Sequence, residues 1–129
     1  RLPERNAYRR ALIALDQASR DVEQADDLII ADARSAVRGI QAAQTTLDLQ
    51  LRGIEIAQAR LDFANESLNT SRATDSRDVV EAQNSLLQAQ DRYESATANA
   101  QIAILQYLRD TGLLRLNPES GVLGMAMQR

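Results

Sequence analysis

The chain has 129 residues with a formal net charge of −3, no Cys and no His. One domain at most fits this length. Disulfides and thiolate metal sites are excluded, and so are the commonest general base and metal ligand. All 15 basic residues are Arg and they are interspersed with acids, so no basic face for nucleic acid is expected. Aromatics make up 3% of the chain and there are two Pro and five Gly, a composition suited to long helices with thin interfaces. No apolar run is long enough to span a membrane as a helix, and no signal peptide is recognisable. The chain begins at Arg1 rather than Met, which is the expectation for a piece of a longer protein.

The first predicted helix starts after Pro3, with Asn6 as a cap, and runs over about residues 6–68. Ile40, Leu47, Ile54, Leu61 and Leu68 recur every seventh residue. So do Tyr8, Leu15, Val22, Ile29, Ala36, Ala43, Gln50, Ala57 and Ala64. A helix of this extent would be roughly 90 Å long. Gly39 and Gly53 within it read as tolerated surface positions, each costing up to about 1 kcal/mol against Ala, or as points of close approach. Asp26 and Asp27 point about 100° apart on a helix and read as a solvated face rather than a metal site. Arg1, Arg5, Arg9 and Arg10 read as an exposed helix start, with contact to anionic lipid as the alternative.

The stretch from residue 69 to 77 breaks the apolar pattern. Its Asn, Thr, Ser and Asp residues compete for backbone hydrogen bonds and favour turns and caps. The second predicted helix spans about 78–111, with Gly112 just beyond it as the C′ residue. Its seam is Val79, Ala82, Leu86, Ala89, Tyr93, Ala96, Ala100, Ala103 and Tyr107, in alternating steps of three and four. That is a heptad pattern. Alanine in alternate layers lets two helices approach closely. Residues 117–129, with Pro118, Gly121 and Gly124, are expected to form an irregular tail, and 1–116 the hairpin.

The expected fold is therefore all-α, a long antiparallel coiled-coil hairpin. Its register follows from matching layers. Leu68 meets Val79, Leu61 meets Leu86, Ile54 meets Tyr93, Leu47 meets Ala100 and Ile40 meets Tyr107. The Ala layers pair Ala64 with Ala82, Ala57 with Ala89, Gln50 with Ala96 and Ala43 with Ala103. Two features exceed an isolated hairpin. Ala42, Leu49, Ile56 and Phe63 form a second apolar stripe on the far side of helix one, and a helix apolar on opposite sides needs a neighbour on each. Residues 7–35 also extend past the end of helix two, leaving Leu12, Leu15, Val22, Leu28, Ile29 and Ile30 without partners. Helix two keeps a polar strip at Asn84, Gln88, Asp91, Ser95 and Asn99.

Asp78 and Glu81 are the sharpest candidate site, with two capping alternatives beside it. In one, Asp78 is the N-cap and Glu81 its capping-box partner. In the other, Asp75 caps and Asp78 lies in the first turn, where the helix dipole favours acids.

The stretch Ile54–Leu114 resembles the C-terminal half of TolC-type outer-membrane efflux proteins. The most specific part is Asp78-Val79-Val80-Glu81-Ala82-Gln83 followed by Leu86-Leu87 and, later, Tyr93. The resemblance is good over residues 40–114 and weaker before them. It implies a periplasmic α-barrel segment, a homotrimer in the full-length protein, and attachment to the outer membrane of a Gram-negative cell through segments absent here. It implies a passive conduit for efflux or type I secretion, coupled through a periplasmic adaptor protein to an inner-membrane transporter. It places Asp78 and Glu81 at an aperture, and makes Ser71, Arg72, Ala73, Thr74, Asp75, Ser76 and Arg77 the adaptor-contacting tip. Glycine, frequent at the family's tip, is missing here. No enzymatic activity and no cofactor are expected. From periodicity alone, a structural coiled-coil or adaptor hairpin without a transport role is the alternative.

Overall fold

The computed structural model describes residues 1–70, 75–116 and 123–125. Two helices account for nearly all of them: α1 over Leu2–Asn69 and α2 over Ser76–Asp110. They pack against each other in opposite directions, as an all-α hairpin. At 68 residues, α1 is roughly 100 Å long. It starts earlier than the sequence pattern predicts, because Pro3 is accepted in the first turn, where its missing N–H has no intrahelical partner to lose. It closes at Thr70, whose N–H and hydroxyl both donate to the Glu66 carbonyl, at 3.0 and 2.9 Å.

The interface between the helices is built on small side chains. Ala57 and Ala64 of α1 and Ala82, Ala89 and Ala96 of α2 are buried, with Ala82 the most enclosed at 1% exposure. The larger seam residues Ile40, Leu47, Ile54, Leu61, Val79, Leu86, Tyr93 and Tyr107 are half-buried. Close backbone approach through alanine leaves bulky neighbours at the sides of the contact, where a second helix covers only part of each. Shallow grooves along the seam support the register. One is lined by Ala64 and Ala82, another by Gln50 and Ala96, and a third by Gly39, Ala103 and Gln106. Leu68 departs from the expected seam. It is 43% exposed, and Ser67 is buried in its place. Which of two adjacent residues is covered at this end of α1 depends on where α2 lies against it, and the seven-residue period alone does not fix that.

The C-terminus of α2 has a Schellman geometry. Leu113 N–H donates to the Leu108 carbonyl at 2.8 Å, and Gly112 N–H to the Arg109 carbonyl at 3.1 Å. Gly112 supplies the left-handed residue, φ 71°, that such a stop requires. Leu108 is buried beside it. Beyond the stop, β1 (Leu114–Leu116) pairs antiparallel with β2 (Leu123–Met125), Arg115 standing opposite Gly124. Within the tail expected to be irregular, residues 117–129, Leu123–Met125 form a strand, and the rest lies outside the described residues. Strand pairing satisfies the backbone groups of these two segments, which no longer have helical partners.

Both features that exceed an isolated hairpin are present. Leu49, Ile56 and Phe63 of the second stripe are 65–69% exposed, Phe63 at the rim of a groove beside α2, and residues 1–30 are exposed throughout. The polar strip Asn84, Gln88, Asp91, Ser95 and Asn99 faces solvent.

Candidate functional site

The start of α2 is the place where charge, a helix end and an aromatic side chain meet. Asp75 is the N-cap, with extended backbone and a carboxylate that accepts from Arg77 N–H at 3.5 Å and from the Ser76 hydroxyl at 3.2 Å. Asp78 N–H donates to the Asp75 carbonyl at 2.9 Å. Of the two capping arrangements, the one with Asp75 as cap and Asp78 in the first turn is therefore found. The Asp78–Glu81 capping box does not form, because the helix begins two residues before Asp78. Glu81 instead pairs along its own helix with Arg77, Oε1 to Nε 3.7 Å. Both partners are exposed, so water screens the pair and its contribution is small.

Asp78 and Glu81 are both exposed and share one groove of about 200 Å³ with Arg60, Phe63, Ala64 and Ala82. The acids come from α2 and the Arg and Phe from α1. Sequence reasoning singled out the acids and missed Arg60 and Phe63 as their neighbours. The signal was available. The register that sets Ala64 against Ala82 and Leu61 against Leu86 also brings residues 60 and 63 alongside the first turns of α2. Phe63 is 68% exposed, so its ring is available to a neighbouring molecule.

The remaining tip residues divide. Asp75, Ser76 and Arg77 are exposed at the helix start; Ser71, Arg72, Ala73 and Thr74 lie outside the described residues. The seam residues Ile40, Leu47, Ile54, Leu61, Val79, Leu86, Tyr93 and Tyr107 line the helix–helix contact rather than the groove, and Leu68 lies exposed near it.

Gly39 and Gly53 do not mark a close approach within the hairpin, since a Cβ at either would meet nothing within 4 Å. Among the described residues, no group of three or more acids is placed to hold a metal ion, and no helix is long and apolar enough to cross a membrane.

No family model matches the chain, and searches of curated proteins and of solved structures return no significant relative.

Proposed function

We propose that this chain is the periplasmic helical hairpin of a TolC-type outer-membrane channel protein, a passive wall segment of a conduit for efflux or type I secretion. The observation that carries the reading is the second apolar face of α1. Leu49 and Ile56 stand exposed outside the contact with α2, Phe63 stands exposed at the rim of the groove beside α2, and a helix that is apolar on opposite sides asks for a neighbour on each. A free-standing two-helix coiled coil has no use for that face, and a closed ring of hairpins covers it. The alanine contact supports the same reading, since thin interfaces let many helices stand side by side around a pore. In the assembled homotrimer the α2 start would form the periplasmic end. Asp75, Ser76 and Arg77, with residues 71–74, would there meet a periplasmic adaptor and, through it, an inner-membrane transporter. Asp78 and Glu81 would ring the aperture, where like charges in a narrow opening attract cations.

The test is made in the organism that carries the gene. Membrane fractionation of a tagged gene product and ethidium retention after in-frame removal of residues 31–112 are measured together. Outer-membrane recovery with raised dye retention is expected. A product recovered in the cytosol, with dye retention unchanged by the deletion, overturns the proposal.

A further inference from the structure

The exposed part of α1 carries a seam of its own. Tyr8, Leu15, Val22 and Ile29 are 57–68% exposed, and Ala11, Ala18 and Ala25, each three residues after a large one, are exposed beside them. The row of large residues runs into the buried interface, because Ile29 is followed at one heptad by Ala36 and at two by Ala43, both half-buried against α2, while the Ala row continues to Asp32 and Gly39, which are exposed. Its spacing is that of the hairpin. In α1 each large seam residue precedes an inward position by three (Ile54 and Ala57, Leu61 and Ala64), and in α2 likewise (Val79 and Ala82, Leu86 and Ala89). Two segments with this spacing pair antiparallel with Ala on Ala and large on large. Residues 8–29 have it, so they fit a second copy of themselves.

Charge selects the same direction. The first turns are basic, with Arg5, Arg9 and Arg10 against Glu4, and the far end is acidic, with Asp21, Glu23, Asp26 and Asp27. A parallel pair would set like charges side by side. An antiparallel pair sets the basic end of each copy on the acidic end of the other, within the ~8–10 Å over which surface charges act at physiological salt.

We infer that this chain forms a two-fold antiparallel dimer through residues 8–29 of α1. The axis passes beside Ala18, which faces Ala18 of the second copy. Leu15 lies against Val22 of that copy, Tyr8 against its Ile29, and Ala11 against its Ala25. The contact is isologous and closes on itself. It is about 32 Å long. The inference concerns the 129-residue chain by itself and does not rest on the conduit reading. In a ring wall this face would be taken by another helix, and the dimer is what covers it otherwise.

Sedimentation and cysteine cross-linking of the purified 129-residue chain test it. A dimer is expected, with loss of the dimer and unchanged helical circular dichroism in Leu15→Glu/Val22→Glu. Ala18→Cys should oxidise to a covalent dimer, since its two Cα atoms lie within the ~7 Å a disulfide spans. Arg20→Cys, on the outer side of the same turn, should not. Reversing Arg9 and Arg10 to Glu should weaken the dimer, and adding Asp26→Arg/Asp27→Arg should restore it. A monomer at all concentrations overturns the inference. So does Tyr8→Cys linking to itself faster than Ala18→Cys, which marks a parallel pair. Neither outcome bears on outer-membrane recovery or dye retention, so this inference and the conduit reading fail separately.

Discussion

Arg77 reaches Glu81 across one turn of α2, Nε to Oε1 3.7 Å, while the backbone N–H of the same Arg77 donates to the Asp75 carboxylate. One residue thus links the cap of the helix to one of the two acids at its start. The roles of the three acids at this end are separated by that arrangement. Asp75 holds the helix end, Glu81 is engaged by a neighbour, and Asp78 stands in the first turn facing the groove.

Replacing Asp75 by Ala should therefore lower the stability of the hairpin by about 1 kcal/mol, read as a shift in the urea midpoint. Asp78→Ala/Glu81→Ala should cost less, through the helix dipole alone, about 0.3–1 kcal/mol. In the parent channel the same double substitution should reduce cation selectivity in planar bilayers, while Asp75→Ala leaves it intact. Unaltered selectivity in the double variant would make Asp78 and Glu81 structural residues only.

The register can be read by cross-linking. Leu61→Cys/Leu86→Cys should form an intrachain disulfide, because Cα atoms must lie within ~7 Å for the bond. Leu61→Cys/Tyr93→Cys, displaced by a heptad, should stay reduced. The reverse result would move α2 by two turns against α1 and separate Ala64 from Ala82.

Ala82 has 1% exposure, and the helices touch there through methyl groups. Ala82→Leu should push them apart and destabilise the hairpin by about 1–3 kcal/mol. Phe63→Ala, by contrast, removes an exposed ring and should leave the thermal midpoint of the isolated chain nearly unchanged. A large loss in Phe63→Ala would mean that the ring is already covered by another copy.

Two glycines should respond in opposite ways. Gly112 has φ 71°, where a Cβ meets the following carbonyl at a cost of roughly 1–2 kcal/mol, so Gly112→Ala should destabilise the end of α2. Gly39→Ala adds a methyl where nothing lies within 4 Å and should stabilise α1 by up to about 1 kcal/mol. Circular dichroism melts of the two variants check both signs.

The helices, their antiparallel pairing, the alanine layers and the Gly112 stop were all legible in the sequence. Each rests on a local rule: a seven-residue period, the lost helix propensity of Asn, Thr, Ser and Asp, or the need for glycine at positive φ. The exposed stripe at Leu49, Ile56 and Phe63 was legible for the same reason, since the angle between two faces of one helix follows from residue spacing. Tertiary structure decided what depends on two elements at once. It chose Asp75 over Asp78 as cap, because the first turn of α2 begins where the chain leaves the tip, and residue type alone permitted both. It put Ser67 inside and Leu68 outside, because burial there depends on where α2 lies against the last turns of α1. It set Arg60 and Phe63 beside Asp78 and Glu81, an arrangement that exists only when two helices lie in register. It paired Leu114–Leu116 with Leu123–Met125, where short strands gain their stability from each other and leave almost no periodic trace in the residues.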